Sequence, residues 1–444
     1  MLNEEKDFLA NGTLLKKVVL CWVDYQLAIK SLQSYTGIMT LSEELIWRGF
    51  VQDSTFANLA ELDQKKITFY HGFDASADSQ AIGNLAAMML DKLFIRYGHN
   101  AIILAGGATS LIGDPGGKDK ERVLQSEEIV KHNVSQAEKQ IKQIFDGLSF
   151  KLVNNLDWTK DVKLMPFLRD IGKHFSMTNL VQRDYISNRI GGAGISYTEF
   201  SYTLLQGMDY LHLYDKYGVT LQIGGSDQWG NCISGVELIR KTRQTEVHVI
   251  TQPLVIDATT GKKFGKSEAG AVWLDDKKTS VYAFYQFWLN VDDINAESYL
   301  KIYTDLQKHE IEVIVAEQKA SPKNRLAQRV LAYEVTKLVH GQKRADEVKK
   351  VSDVLFSEGN FIELEKHEKK ILADELGSIK FHPDLVQLLV EGGLASSKTE
   401  ARTFLATGAI YVNEQRAGPQ NLDLFVSGPN LVKRGKNSFI IVNK

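Results

Sequence analysis

Short apolar runs alternate with longer segments of helical periodicity between residues 66 and 251. Five runs have the length and composition of buried strands: 66–70, 101–105, 150–154, 219–223 and 247–251. The segments with a helical pattern are 81–96, 121–146, 197–216 and 227–242. Such alternation predicts parallel strands joined by right-handed crossovers. We therefore expect an α/β fold built on a Rossmann-like, doubly wound parallel sheet.

Unusual polar and glycine-rich loops follow four of these five strands. Gly72, Asp74 and Ser76 follow the first strand, and "GGATSLIGDPGGK" follows the second. "NNLDW" follows the third strand and "GGSDQWGN" follows the fourth. Open α/β sheets bind ligands in the crevice beyond the carboxyl ends of their strands. The four loops therefore predict one ligand site on a single rim of the sheet.

Changes of pattern along the chain predict several consecutive parts. The strand pattern fades after about residue 275, where amphipathic helices begin, and a compact α/β pattern returns near the end. The expected parts are an N-terminal extension of uncertain status at 1–38, the sheet domain at 39–270, a helical domain at 271–355, a linker at 356–380 and a small α/β module at 381–444. A surface helix is the alternative for the extension.

Composition excludes several classes of protein. The chain is 43% hydrophobic and 24% charged with a net charge of −2, which is typical of a globular protein rather than one coated with basic residues. Cys21 and Cys232 form neither a disulfide framework nor a CxxC metal motif, and a reducing, cytoplasmic compartment fits them best. The histidines form no HExxH pair, and no apolar run is long enough to predict a membrane span.

The basic stretch "GKKFGKS" at 261–267 invites comparison with a P-loop. Three residues separate its glycines where a P-loop has four, so a kinase-like or GTPase-like site is disfavoured. A mobile loop carrying Lys263 and Lys266 can instead close over a triphosphate and neutralise charge as pyrophosphate leaves. A solvated basic turn is the alternative.

A second group of polar side chains is a candidate substrate pocket. Three of its members are at positions i, i+4 and i+7 and share one helix face. The set is Tyr70, Asp114, Tyr202, Gln206, Asp209 and Gln228. Such groups can hold a zwitterionic amino acid, or a buried carboxylate and a tyrosine hydroxyl can bind a phenol. A site built to bind a hydroxyl strongly rejects the analogue that lacks it. An ordinary solvent-facing stripe is the alternative.

Six motifs, in the same order and spacing, resemble those of bacterial tyrosyl-tRNA synthetases, a family of class I aminoacyl-tRNA synthetases. The motifs are "YHGFDASADS", "GGATSLIGDPGG", "NNLDW", "TEFSYTLLQGMDY", "QIGGSDQWGN" and "KKFGKSEAGAVWLD". The resemblance runs from about Met39 to Lys444. It implies a tyrosine–tRNA ligase that uses ATP to form tyrosyl-adenylate and then charges tRNA(Tyr). It also implies a cytoplasmic homodimer, Mg²⁺ bound with ATP, no structural metal and no membrane partner.

The resemblance implies roles for individual positions. The tyrosine-binding set is Tyr70 and Asp209 at the phenol, Asp114, Tyr202 and Gln206 at the amino group, and Gln228 near the carbonyl. The ATP-binding set is Gly72, Asp74, Gly83, Gly225, Asp227 and Lys266. The catalytic set is Lys263, Lys266, Ser76 and Asn84.

The end of the chain resembles a small RNA-binding module shared with a ribosomal small-subunit protein. The segment that carries this likeness is "LVEGGLASSKTEARTFLATGAIYVN". The resemblance implies that this module holds tRNA, and that the helical domain lies on the anticodon side. Candidate phosphate contacts are Lys398, Arg402, Lys433, Arg434 and Lys436.

The chain departs from the family at its first ATP signature. The signature is usually His-Ile-Gly-His, but here Ala81 and Asn84 replace the histidines. Asn84 can still donate a hydrogen bond, whereas Ala81 cannot, and losing one such donor costs on the order of 3 kcal/mol, or a hundredfold in rate. His71 also stands where cysteine is common, beside the ribose. The alternative function is a non-catalytic RNA-binding paralogue, but the intact lysine loop and tyrosine pocket favour a working enzyme.

Overall fold

A computed structural model describes most of the 444-residue chain. The described residues are 39–114, 124–191, 194–264, 266–267, 270–356, 359–435 and 437–444. The expected extension at 1–38 and the candidate RNA contact Lys436 lie outside these residues. Lys266 is described for its backbone only.

A six-stranded sheet forms the centre of the larger part of the molecule. Its strands are β1 (Asp53–Ser54), β2 (Thr68–Phe73), β3 (Asn100–Ala105), β4 (Phe150–Asn154), β5 (Leu221–Gly225) and β6 (His248–Gln252). Their spatial order is β1-β6-β5-β2-β3-β4, with β2 to β6 parallel and β1 antiparallel at the edge. The predicted doubly wound parallel sheet is therefore confirmed. Its strand order reverses between β2 and β5, where such sheets bind ligands.

Helices cover both faces of this sheet, including those predicted from periodicity. They are α1 (Leu41–Arg48), α2 (Ile82–Arg96), α3 (Gly107–Ile112), α4 (Glu127–Ile144), α5 (Leu156–Thr159), α6 (Leu164–Pro166), α7 (Met177–Val181), α8 (Asp184–Ile190), α9 (Tyr197–Tyr217) and α10 (Trp229–Arg243). Helix α9 begins after Ser196, whose hydroxyl accepts a hydrogen bond from the Glu199 N–H at 3.2 Å. It ends at Gly218, whose positive φ of 66° suits glycine at a helix end.

Alternation along β2 directs neighbouring side chains to opposite faces of the sheet. Phe69 packs in the large apolar cluster that contains α2. Tyr70 packs in a separate cluster with Tyr210 and Leu238, which lie on α9 and α10. Consecutive residues of β2 can therefore contribute to a ligand crevice on opposite faces of the sheet.

A helical region follows the sheet. A short antiparallel pair, β7 (Lys266–Ser267) and β8 (Gly270–Ala271), leads into α11 (Val281–Leu289), α12 (Asp293–Tyr303), α13 (Lys308–Ala320), α14 (Leu326–His340) and α15 (Gln342–Phe356). Buried Arg48 at the end of α1 ties this region to the sheet domain. Its guanidinium donates to the backbone oxygens of Lys301 and Leu306 at 2.6 and 2.7 Å, at the end of α12. The bond to Lys301 satisfies a carbonyl that the helix end leaves unpaired.

The C-terminal part contains α16 (Lys366–Leu376), α17 (Leu385–Glu391), α18 (Lys398–Thr407) and a second sheet. The strands of this sheet are β9 (Ser378–Lys380), β10 (Ile410–Val412), β11 (Gln415–Arg416), β12 (Pro429–Arg434) and β13 (Ser438–Asn443), in the order β11-β10-β12-β13-β9. The expected linker at 356–380 needs correction, because it contains α16 and β9. Leu372 anchors α16 in the core, and β9 pairs with β13, so the charged exposed face concealed an ordered segment.

Candidate active site

A cavity of about 430 Å³ opens at the carboxyl ends of β2 and β5, where the strand order reverses. The loops after β2, β3 and β5 line it, together with one face of α9 and the residue Lys263. The loop after β4 contributes from behind this lining, through Asn155 and Trp158. All six residues of the predicted tyrosine-binding set contribute to the lining.

Tyr70 and Asp209 are two of the most deeply buried polar residues of the cavity, each 1% exposed. Asp209 accepts hydrogen bonds from Asn155 Nδ2 at 2.9 Å and from Trp158 Nε1 at 2.8 Å. Burial raises the pKa of Asp209 to about 7, although both hydrogen bonds lower it. The Tyr70 hydroxyl has no hydrogen-bond partner within the described part of the chain. An unpaired buried hydroxyl beside a fixed acceptor suits a ligand that both donates and accepts a hydrogen bond.

Asp74 connects the predicted ATP-binding and tyrosine-binding sets. Its carboxylate accepts hydrogen bonds from the Tyr202 hydroxyl at 2.9 Å and from Thr109 Oγ1 at 2.7 Å. Burial raises the pKa of Tyr202, and the negative charge of Asp74 raises it further. Gly106 is required beside this group, since a Cβ there would lie 2.3 Å from Asp74 Oδ1. The polar network therefore depends on close backbone approach at the start of the loop after β3.

A chain of hydrogen bonds fixes the amide of Gln228. Its Nε2 donates to Asp114 Oδ2 at 2.6 Å, and its Oε1 accepts from Asn231 Nδ2 at 3.1 Å. Asn231 is itself held by the Thr203 hydroxyl, which donates to its Oδ1 at 2.7 Å. Gln206, on the same face of α9 as Tyr202, makes a long contact of 3.8 Å with Cys232 Sγ. Gln228 therefore has a defined orientation before any ligand enters.

The N-terminus of α2 supplies a different kind of surface in the same cavity. Asn84 caps the helix, because its Oδ1 accepts from the Ala81 N–H at 3.2 Å. A Cβ built on Gly83 would meet nothing within 4 Å, so this backbone is open to close approach. Gly72 and Ser76 are exposed members of the same lining. The positive end of the helix dipole lies here, and it attracts anions.

The basic stretch approaches the cavity from the loop after β6. Lys263 lines the cavity, and its positive charge lowers the pKa of Asp227 against the larger effect of burial, which raises it. Asp227 is close to Gly225, where a Cβ would lie 2.6 Å from Asp227 Oδ1. Phe264, which follows Lys263, is buried in the helical region, with its ring centroid 4.2 Å from that of Tyr299. The buried ring of Phe264 therefore fixes the chain next to Lys263 at the edge of the cavity.

The candidate RNA contacts lie away from this cavity, on the C-terminal module. Lys398 and Arg402 are exposed on α18. Lys433 and Arg434 are half-buried on β12, where Arg434 stacks over the Phe404 ring at 4.9 Å. A helix and a strand of one module thus carry four basic side chains.

Several contributors to the site were not predicted from the sequence. Thr109, Trp158 and Asn231 each hold a cavity residue by a hydrogen bond. Asn231 follows Gln228 by three residues, and this spacing on a helix was the available signal. The other two contacts join segments that are distant in the sequence, so periodicity could not find them.

The described residues also bear on metal binding and on membrane spans. In the described ranges, no group of three or more His, Cys, Asp or Glu side chains could hold a metal ion. The described helices include none that is both long and apolar enough to span a membrane.

Comparisons with known proteins agree with the motifs. The family profile described as class I tRNA synthetases (W and Y) matches residues 62–357, and that of the tyrosine–tRNA ligase SYY-like C-terminal domain matches 363–443. The tyrosine–tRNA ligase of Geobacillus kaustophilus is 42% identical over 91% of this chain and 99% of the relative. Tyrosine–tRNA ligase 2 of Bacillus cereus (strain ATCC 10987 / NRS 248) is 41% identical over the same shares.

A solved structure gives the same result at the level of the fold. The C-terminally truncated mitochondrial tyrosyl-tRNA synthetase of Aspergillus nidulans has a TM-score of 0.65 and 29% sequence identity. The alignment covers 75% of this chain and 98% of that structure. The resemblance that the motifs indicated is therefore confirmed, and the chain belongs to the tyrosine–tRNA ligase family of class I tRNA synthetases.

Proposed function

We propose that this cavity activates tyrosine with ATP and that the chain then transfers the tyrosyl group to the 3′-terminal ribose of tRNA(Tyr). One observation carries the proposal. One cavity contains two kinds of groups: the buried side chains of Asp209 and Tyr70, and the N-terminus of α2 with Lys263. The Asp209 carboxylate can accept from a phenol and the Tyr70 hydroxyl can donate to it, whereas the helix N-terminus and Lys263 suit a polyphosphate.

Tyrosine occupies the side of the cavity lined by α9. Its phenol O–H donates to Asp209, and its oxygen accepts from the Tyr70 hydroxyl. Asp114 and Tyr202 lie near its ammonium group, together with Gln206. Gln228, held by Asp114 at 2.6 Å, lies at the carboxylate end. The hydrogen-bonded network orients the substrate before reaction, which lowers the entropic cost of the attack.

ATP occupies the side lined by α2 and the basic stretch. Gly72, Asp74, Gly83, Gly225 and Asp227 line its adenosine part, and Gly83 allows the base close to the backbone. Ser76 and Asn84 lie near the phosphates, to which Lys263 and Lys266 supply positive charge. Mg²⁺ enters with the phosphates as their counterion and adds further neutralisation.

The chemistry proceeds in two steps without a covalent enzyme intermediate. A carboxylate oxygen of tyrosine bonds to the α-phosphorus of ATP, and the bond to the β-phosphate oxygen breaks, releasing pyrophosphate. A ribose hydroxyl of tRNA then attacks the acyl carbon, and AMP leaves. The lysines stabilise the charge that grows on pyrophosphate, while the rest of the site acts by positioning.

Ala81 replaces the first histidine of the ATP signature, so the decisive test is whether the chain still activates tyrosine. The assay is tyrosine-dependent ATP–pyrophosphate exchange. We expect the unaltered chain to catalyse exchange, and Ala81→His to raise its rate by no more than about a hundredfold, the value of one donor. Exchange absent from the unaltered chain but restored by Ala81→His would instead support the non-catalytic RNA-binding alternative. Exchange absent from both proteins, each shown to be folded, would exclude the proposal.

Transfer to tRNA takes place in the cytoplasm and uses the C-terminal module. Lys398, Arg402, Lys433, Arg434 and Lys436 supply positive charge for the tRNA backbone, with the helical region on the anticodon side. The two basic residues on β12 and the two on α18 are held by ordered elements, which favours a fixed register on the RNA.

The active form in this proposal is a homodimer. The segment 162–197 exposes large apolar side chains that a monomer would leave in water. They are Val162, Leu164, Met165, Leu168, Met177, Ile190 and Tyr197. We refer to them as the 162–197 patch.

Breaking this patch should yield monomers. Met165 is 71% exposed, and Met165→Glu would place a charge within the interface, so we expect the mass measured by light scattering to fall by half. Ile294→Glu is the matched control, because Ile294 is 70% exposed and lies on α12, outside the segment 162–197. Equal masses for the unaltered chain and both variants would show that the patch does not join two copies.

A further inference from the structure

A stacked pair of aromatic rings lies behind Asp209. Trp158 on α5 and His212 on α9 face each other, with ring centroids 4.3 Å apart and an angle of 12° between the ring planes. Neither residue is part of the cavity lining. Trp158 nevertheless acts on the cavity, because its Nε1–H donates to Asp209 Oδ1 at 2.8 Å. His212 is thus one contact removed from the most polar end of the cavity.

One helix holds the indole of Trp158 at two points. Asp209 and His212 are at positions i and i+3 of α9, so they lie on the same side of the helix. Asp209 binds the edge of the indole and His212 packs against its face. Trp158 itself is half-buried and lies on a helix of four residues, Leu156–Thr159, which is too short to be stable alone. The orientation of the indole therefore depends on its contacts with α9.

His212 contacts Trp158 through the face of its ring. The Nε2 atom of His212 is buried and has no hydrogen-bond partner in the described part of the chain. Burial lowers the pKa of His212, and the charge of Lys216 lowers it further, whereas that of Asp215 raises it. The ring is therefore neutral at neutral pH. Its contact with the indole is the packing of two flat rings and not an ionic interaction.

The hydrogen bond from the indole acts on the charge of Asp209. Burial raises the pKa of Asp209 to about 7, and the bonds from Asn155 and Trp158 keep it from rising further. The nearby charge of Asp74 also raises this pKa. The hydroxyls of Tyr70 and Tyr202 stay neutral, because burial raises their own pKa. Weakening the indole bond would therefore move Asp209 toward its protonated form.

We propose that His212 is a positioning residue for tyrosine binding, which holds the Trp158 indole so that its N–H stays on Asp209. This inference rests on the proposed function, since it takes the Asp209 carboxylate as the acceptor for the substrate phenol. Trp158 occupies Oδ1 and Asn155 occupies Oδ2, so the carboxylate is fixed from behind. In this state it is ionised, and its remaining lone pairs are available to a phenol O–H.

His212→Ala is the central variant. Alanine is a good helix former, so α9 should persist while the ring that packs on Trp158 is lost. We expect the pH below which tyrosine binding weakens to rise by about one unit, which corresponds to about a threefold higher Kd at about pH 7.5. Kd for ATP should not change. Calorimetry at several pH values measures both constants, and an unshifted profile for tyrosine would overturn the proposal.

Two further variants separate the ring from its charge. His212→Phe keeps a flat ring that cannot titrate, so it should restore the profile of the unaltered chain. Lys216→Ala is the matched control, because Lys216 is exposed on the same helix and its charge acts on His212. It should leave the profile unchanged, since His212 is already neutral. A shift in His212→Phe as large as that in His212→Ala would contradict the stacking role.

The indole N–H of Trp158 gives a direct signal in the absence of substrate. Its magnetic resonance line can be assigned in protein containing isotopically labelled tryptophan, because the line disappears in Trp158→Phe. We expect this line to move upfield in His212→Ala, as the hydrogen bond to Asp209 weakens, and to keep its position in His212→Phe. An unmoved line in His212→Ala would show that the indole is held without His212.

The same measurements distinguish this inference from the proposed function. Tyrosine binding without pyrophosphate exchange in the unaltered chain would contradict the activation step, while the comparison of His212 variants would still stand on binding. Exchange by the unaltered chain, with an identical tyrosine profile in His212→Ala, would overturn this inference alone. Absence of tyrosine binding from the folded, unaltered chain would overturn both.

Discussion

Asp209→Asn should lower the preference for tyrosine over phenylalanine by about 10³-fold. The carboxylate accepts from Asn155 and Trp158, and in our proposal from the substrate phenol. An asparagine of the same shape must turn its NH₂ group toward one of these donors, which leaves buried donors facing each other. A site that loses its partner for a substrate hydroxyl loses most of its discrimination against the analogue without one.

The measurement is kcat/KM for both amino acids in pyrophosphate exchange. Nearly all the change should come from tyrosine, since phenylalanine has no hydroxyl to bind. Asp215→Asn is a suitable control, because Asp215 is on the same helix but pairs with Arg243 at the surface. A retained preference in Asp209→Asn would show that the phenol binds elsewhere.

The same carboxylate predicts a pH dependence. Burial raises the pKa of Asp209 to about 7, so the ionised form prevails above that pH and the neutral form below it. A phenol donor stabilises the ionised form, and protonation competes with it. KM for tyrosine should therefore rise as the pH falls below about 7 in the unaltered chain, and this rise should be absent in Asp209→Asn.

Lys263→Ala should lower kcat for exchange by about 10²–10³-fold, with little change in KM for tyrosine. The lysine lines the cavity beside Asp227, and its charge is needed most when pyrophosphate departs. Interactions made mainly in the transition state affect kcat rather than ground-state binding. Single-turnover formation of tyrosyl-adenylate isolates this step.

The adjacent lysine is a control with the same charge in the same loop. Lys262 is exposed and does not line the cavity, so Lys262→Ala should reduce kcat by less than about threefold. Lys263→Arg keeps the charge and should recover part of the loss. Similar losses in Lys262→Ala and Lys263→Ala would mean that the loop acts only by its total charge.

The sequence predicted the elements of the fold better than the contacts between them. Periodicity located the five parallel strands. The polar and glycine-rich loops after them located the edge of the sheet at which the cavity lies. Periodicity could not pair Tyr202 with Asp74, because they are 128 residues apart and their meeting depends on how α9 packs on the sheet. The contact between His71 on β2 and Asp91 on α2 likewise depends on how α2 packs against the sheet. Neither segment alone specifies that packing.

The expected linker at 356–380 was wrong for a related physical reason. Strand β9 has only three residues and one half-buried position, so its own pattern is too short to indicate a strand. Its place is decided by the parallel pairing with β13. Short edge strands of this kind are recognised only through their partner.

The position of β9 has a consequence for anyone preparing the RNA-binding part as an isolated fragment. A fragment starting at residue 381 would remove β9 and leave residues 441–443 of β13 as an unpaired edge. An open edge next to an apolar strand invites pairing between molecules and aggregation. Starting the fragment ahead of Lys366 keeps α16 and β9, which should favour a monomeric and well-behaved sample for titration with tRNA.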